Sequence, residues 1–380
     1  MSVALLVAAL GGCVEPLRPD LSKETRPVEV APERLGNVFT QASAYARNVW
    51  DMQLFGGRIW LGHGDSIDNW GPIPVWSLDG ATGAMAQEFS TNDEQVDEFR
   101  VLGGELYVPG HDGRGDWTKG EFYRLEGGRW AEHRTIPHGL HVFDLALHGG
   151  RLFAALGTEE VRGQETLLAS RDRGESWTAV TDETDRVYDL FELGGELYGA
   201  PLMNASDSTA ARPLLRFDGE RFVKTGAAGK LLLPGLADGA WGRMVRPTEF
   251  RGVLVYIAAG SSFDWVPVSL AVTRDLREVR RAVFPDAAAV PYDLLVRGDT
   301  MYVLASAPAA AGGYTVRVYR TVDTVAWQEV FHFASAAFAR SFEESGGDFW
   351  FGLGCGYGAP NPASGDLLRV RRASWAGTAG

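Results

Sequence analysis

Seven residues recur at one register of this 380-residue chain: Asp51, Glu98, Asp144, Asp189, Arg246, Asp293 and Ser341. Five are acids, and three of these close a Val-aromatic-Asp run (Val49-Trp50-Asp51, Val142-Phe143-Asp144, Val187-Tyr188-Asp189). Gathered into a ring, the carboxylates could hold a hard cation such as Ca²⁺, which takes oxygen ligands, with Arg246 offsetting their mutual repulsion. The other role is structural, each acid bonding backbone amides of its neighbour. Repetition with the fold favours that role, so no cofactor is expected, with Ca²⁺ as the alternative.

A second set of residues differs from copy to copy. Gly62-His63-Gly64-Asp65 is followed by Asp68 and Trp70, and Gly110-His111-Asp112 by Asp116 and Trp117. Arg47, His141, Arg186, Arg243 and Arg340 stand near the acid row, and Phe263, Asp264, Trp265, Tyr314 and Tyr357 lie in later loops. Aromatic rings beside carboxylates and imidazoles suit a sugar, with rings for its apolar faces and fixed acceptors for its hydroxyls. The His-Asp pairs lack a third ligand at metal-site spacing, so no metal site is expected. The chain has no Gly-rich phosphate loop, nucleophile elbow or zinc-protease signature. Cys355, in Gly354-Cys355-Gly356-Tyr357, reads as a small buried residue.

The acid row is set by a repeat. Each of its residues stands five positions before a glycine turn, as in Leu-Phe-Gly-Gly-Arg-Ile-Trp from Leu54 or Val-Leu-Gly-Gly-Glu-Leu-Tyr from Val101. Aligned turn positions are 56, 103, 149, 194, 251, 298 and 346, giving steps of 47, 46, 45, 57, 47 and 48. A period in the forties built of strand signals means a β-propeller. The unit from Leu140 shows one blade: strand 141–147, the Gly149-Gly150 hairpin, strand 151–156, a polar loop, strand 166–170 and a last strand 177–180. The expected fold is all-β, a single seven-bladed propeller of four-stranded antiparallel blades over 37–380. The blades are expected at 48–92, 93–139, 140–184, 185–240, 241–287, 288–335 and 336–375, with a strand from Asn37–Ser43 closing the ring. Inner-strand starts and the loops after second strands then share one face, where ligands converge on a rigid scaffold.

Ser170-Arg-Asp172-Arg-Gly174-Glu-Ser-Trp177 matches the pattern Ser-x-Asp-x-Gly-x-x-Trp. Worn copies are Leu125–Trp130, Phe217–Phe222, and Asp323 with Trp327. Short Ser and Asp side chains bond the turn backbone, Gly supplies positive φ, and Trp packs between sheets. The chain thus resembles the Asp-box, or BNR-repeat, β-propellers, which include sialidases, other glycan-active proteins and noncatalytic assembly factors. Resemblance to the sialidases implies three arginines for a substrate carboxylate, a Tyr–Glu nucleophile pair and an Asp acid–base; Arg186, Arg243, Arg340, Tyr188, Tyr292 and Glu98 could supply most of it. Their Arg-Ile-Pro motif is missing near 37–55, and one Asp-box is intact.

The formal net charge is −13, with no basic stripe, so no nucleic-acid partner is expected. Val3–Leu10 is an apolar run too short to span a bilayer, and Leu10-Gly11-Gly12-Cys13 resembles the lipobox of bacterial lipoproteins. That resemblance implies a signal peptide over 1–12, cleavage before Cys13 and acylation of its sulfur. Several acyl chains anchor stably where one does not. Pro16, Pro19, Pro27 and Pro32 among charges read as a tether over 13–36. Val14 after the cysteine suggests the outer membrane, by likeness to Gram-negative lipoproteins. With Cys13 lipidated, Cys355 has no disulfide partner. The expected protein is a monomeric, noncatalytic cell-envelope lipoprotein, held to the membrane by its lipid alone, that binds a glycan or protein ligand. The alternatives are a sialidase-like hydrolase and an envelope assembly scaffold.

Overall fold

The computed structural model describes residues 27–376, apart from 69–70, 116–117, 158–164, 183–184, 207–211 and 262–264. Cys13, Trp70, Asp116, Trp117, Phe263 and Asp264 therefore lie outside the described residues.

Among the described residues the strands form seven sheets of four or five strands. Each is one blade of a seven-bladed β-propeller, antiparallel from the channel outward. The inner strands are Asp51–Phe55, Arg100–Leu102, His141–His148, Val187–Leu193, Trp241–Phe250, Val290–Arg297 and Phe338–Ser345. Both central residues of a type I′ hairpin need positive φ, and the glycine pairs supply it, as at Gly56 (φ 62°) and Gly57 (φ 79°). Where the first glycine is replaced, Arg251 holds φ 54° instead.

The 57-residue step in the fourth unit comes from added structure, not an added blade. A two-residue strand, Met203–Asn204, lies in the loop between the second and third strands of blade four and pairs with the inner strand of blade five, and a short helix, Gly229–Leu232, follows the fourth strand.

Ring closure departs from expectation. The fourth strand of blade seven is Glu33–Gly36, paired antiparallel with Leu367–Val370, and not a strand from Asn37–Ser43. Arg34 clamps the join by donating two bonds to the Asp366 carboxylate, at 2.7 and 2.9 Å. Ahead of it, Val28–Glu29 runs parallel to the outermost strand of blade six. The stretch read as a tether over 13–36 thus belongs to the ring from residue 28, because its alternating Val28 and Val30 have a sheet edge to pair with. Val30 packs with Phe331, Phe333, Phe342, Phe349 and Phe351 in the core between blades six and seven.

The outer hairpins share one device. The carboxylate of Asp79 accepts the amides two and three residues on, from Ala81 and Thr82, at 3.0 and 2.7 Å. Asp218, Asp275 and Asp323 do the same in blades four, five and six. At the Ser170–Trp177 turn Ser170 Oγ accepts from Gly174 N (2.7 Å), Asp172 accepts from Ser176 N (2.9 Å), and Trp177 lies edge-on to Phe122 of blade two. Such side-chain caps hold a turn without help from the rest of the fold.

Candidate functional site

The acid row is explained by its register. In blades three, four, six and seven a β-bulge falls just before the row, between Val142 and Asp144, Val187 and Asp189, Pro291 and Asp293, and Ala339 and Ser341. A bulge leaves one residue unpaired and re-aims its neighbours. Here the unpaired residues are Phe143, Tyr188, Tyr292 and Arg340. Blade five bulges between Val245 and Thr248, with Arg246 at φ 54°.

The row itself ties blades together. Asp51 Oδ2 accepts Phe99 N (2.7 Å), Asp144 Oδ2 accepts Leu190 N (2.6 Å) and Asp293 Oδ2 accepts Phe342 N (3.1 Å). Ser341 Oγ donates to Val49 O at 2.7 Å, joining the last blade to the first.

Two guanidinium groups occupy the channel. Arg246 Nη2 donates to Trp50 O (2.7 Å) and pairs with Asp51 (3.1 Å), while its other nitrogens face Glu98 and Asp293 at 3.4 and 3.5 Å. Arg100 bonds both oxygens of Asp144, each at 2.7 Å, and pairs with Glu98 at 3.1 Å. Burial still raises the Glu98 and Asp144 pKa values. It pushes Asp189 and Asp293 up to about 7, with the Asp144 charge adding to the effect at Asp189 and Arg246 opposing it at Asp293.

Arg246 and Glu98 separate two recesses. The larger lies toward the glycine turns, against Gln53, Arg100, Thr248, Leu295 and Glu343. The smaller opens on the face of the inner-strand starts and is lined by Asp97, Phe143, Tyr188, Asp189, Arg243 and Trp265 among others. Its rim is a collar of stacked groups. Phe143 lies 4.4 Å from Tyr188, whose face carries the Arg243 guanidinium at 4.6 Å. Opposite, Arg340 sits over Trp50 at 4.1 Å and Trp265 at 5.0 Å. Arg243 Nε is buried without a hydrogen-bond partner.

Beside Phe143, three side chains from blades two and three converge. His111 and Asp112 follow the second strand of blade two, and His141 opens blade three; a backbone bridge joins the two histidines. Gly110 allows this, because a Cβ there would lie 2.3 Å from Glu121 O. His141 Nδ1 is 2.5 Å from Asp112 Oδ1, and His111 Nδ1 is 3.6 Å from Asp97 Oδ2. Burial lowers the His141 pKa. At His111 burial is outweighed by the Asp97 charge, and the pKa rises.

Other expected site residues have structural places. His63 is fully buried, with Nε2 2.8 Å from Pro74 O and Nδ1 3.4 Å from Ala46 O, and burial pushes it down to about 4. Asp65, also fully buried, caps its own loop by accepting Ile67 N and Asp68 N. Arg47 donates to Gln41 O, Ala42 O and Ser364 O. Burial or backbone carbonyl partners thus hold these three within their own loops. Asp68 is exposed, and Tyr357 is exposed with its ring edge-on to Tyr45. Arg186 lies near Asp112 and His141, acting on both electrostatically.

The arginine and tyrosine inventory implied by the sialidase resemblance does not gather in one place. Arg243, Tyr188 and Glu98 share the smaller recess. Arg340 is buried between two indoles, and Tyr292 stacks on Phe338 at 4.6 Å.

No known family model matches the chain, and no curated protein matches it. Among solved structures, hydrazine synthase of Kuenenia stuttgartiensis aligns over 90% of this chain and 99% of that one, with TM-score 0.53 and 10% identity. Saccharomyces cerevisiae Sqt1 aligns over 88% and 98%, with TM-score 0.46 and 12% identity. A puromycin-hydrolyzing peptidase of Mycobacterium tuberculosis aligns over 92% of this chain and 54% of that chain, with TM-score 0.47 and 14% identity. At such identities fold does not carry function, and what is shared with the hydrazine synthase chain is the β-propeller.

Proposed function

We propose that this chain is a noncatalytic binding protein that takes a saccharide at the collared mouth of its channel. One observation carries the reading: the smaller recess puts the rings of Phe143, Tyr188 and Trp265 beside Asp97, Asp189 and Arg243. Rings for the apolar faces of a sugar, and fixed polar groups for its hydroxyls, are what such a ligand needs. The unsatisfied Arg243 Nε favours a ligand with an acceptor or carboxylate at that point.

Binding is preferred to hydrolysis because the catalytic inventory is divided. A glycosidase needs two carboxyl groups, or a tyrosine and its partner, free to act on one bond. Here Glu98 is held by Arg100 and Arg246. Placement at the bacterial outer membrane through lipid on Cys13 belongs to the same reading, supported by the run Val3–Leu10 and the sequence Leu10-Gly11-Gly12-Cys13.

The test is calorimetric titration of the ring with neutral and carboxylated saccharides, repeated with Arg243→Ala and Trp265→Ala. Saturable binding weakened at least tenfold in both variants, with unfolding midpoints kept, supports the mouth as the site. No binding across the panel, or binding untouched by both variants, overturns the reading and favours a protein partner. Release of sugar from a bound saccharide would overturn its noncatalytic half.

A further inference from the structure

We propose that His111, Asp112 and His141 form a binding site for one divalent transition-metal ion of the zinc class. One ligand atom from each residue lies within 4.8 Å of the other two. The three come from neighbouring blades, and two links fix their relative position: the His111–His141 backbone bridge and the bond from Val142 N to Gly110 O at 2.9 Å.

Three further observations point to an ion. First, Asp112 holds φ 62°, a left-handed conformation that costs a residue with a side chain and recurs at functional positions. It turns the carboxylate back toward His141. Second, His141 is 7% exposed, and its Nε2 is buried without a hydrogen-bond partner. An imidazole nitrogen in that state carries an uncompensated desolvation cost, which coordination removes. Third, Asp97 stands 3.6 Å behind His111 Nδ1. A carboxylate behind the second nitrogen is the usual support of a metal-bound histidine, because it fixes the tautomer and leaves Nε2 to bind.

Two imidazoles and one carboxylate select zinc or a neighbouring first-row ion over Ca²⁺ or Mg²⁺, which take oxygen ligands. Zinc bonds of about 2.0–2.1 Å place tetrahedral ligand atoms roughly 3.3 Å apart. The present spread thus closes by small side-chain rotations, and Asp112 gives up its contact with the His141 Nδ1 edge. Arg186 and Arg243 oppose a cation here, whereas Asp97, Asp112 and the buried Glu94 favour it. Three protein ligands leave a fourth position open. Phe143, stacked on His141 at 5.4 Å and edge-on to His111 at 5.2 Å, connects this centre to the recess that it lines.

The experiment uses full-length protein stripped with chelator and contains no saccharide, so its outcome is separate from that of the binding reading. Zinc is titrated by equilibrium dialysis, and Co²⁺ is added to read its visible absorption. The site predicts one equivalent of zinc, a four- or five-coordinate Co²⁺ spectrum, and no displacement by excess Ca²⁺. Zinc affinity should fall at least 100-fold in His141→Ala and in the near-isosteric Asp112→Asn, while His148→Ala keeps it. Absence of stoichiometric zinc on the wild-type chain overturns the site, as does affinity undiminished in Asp112→Asn. If His141→Ala does not fold, Asp112→Asn and the wild-type Co²⁺ spectrum decide.

Discussion

The carboxylate of Asp144 accepts the backbone amide of Leu190, one blade further on, at 2.6 Å. The acceptor in one row position thus meets the amide just past the next row position. Asp51 with Phe99 and Asp293 with Phe342 repeat the relation. A repeated acid is therefore also a repeated joint, and the same side chain carries charge toward the channel and order between blades.

Asp144 is also the bidentate partner of Arg100. Removing one member of a buried ion pair leaves the other uncompensated, at about 3–5 kcal/mol. Asp144→Ala and Arg100→Ala are each expected to lose about that much stability, and the double variant clearly less than the two losses combined. Urea denaturation of the four proteins measures both effects. Additive losses would show that the two residues act independently.

Asp189 should make stability depend on pH. Burial holds its proton up to about pH 7, against about 3.8 for an ordinary aspartate. Its folded pKa is raised, so its contribution is complete below about pH 4 and is lost as pH rises toward 7. Asp189→Asn stays neutral throughout. It is expected to gain about 1–4 kcal/mol on wild type at pH 8, since a tenfold change in proton affinity is worth about 1.4 kcal/mol, and little at pH 4. Parallel stability curves for the two proteins would refute the assignment.

Lipid attachment at Cys13 predicts that labelled palmitate enters the protein in a bacterial host and is lost in Cys13→Ala. That variant should also move from the membrane fraction to the soluble one. Label retained by the variant would remove the anchor from the proposal.

The blade count and the joints were readable because they repeat. A glycine turn every 45 to 48 residues outside one step fixes the hairpins, and an acid at constant spacing in five of the seven copies fixes the channel row. Features arising once were harder to see. His63 and His111 follow the same kind of glycine in successive copies, yet His63 is buried against Pro74 O while His111 reaches the rim beside His141. Nothing in their immediate neighbours separates them; the difference lies in what the next blade places opposite. The His111–Asp112–His141 group needs the cross-blade bridge and the positive φ of Asp112, neither of which a residue pattern carries. The closing strand, Glu33–Gly36, lies ahead of the stretch expected for it because Pro27 and Pro32 give residues 27–36 the look of a linker.

The join between Arg34 and Asp366 spans 332 positions. A ribosome adding about 5–20 residues each second needs roughly 15–70 s to make that interval. For that time the edge strand Glu33–Gly36 exists without the strand that will receive it, and the ring is an open arc. Long-range pairings of this kind are slow and leave edges exposed. Blade seven therefore cannot be completed until Leu367–Val370 has been made to receive Glu33–Gly36.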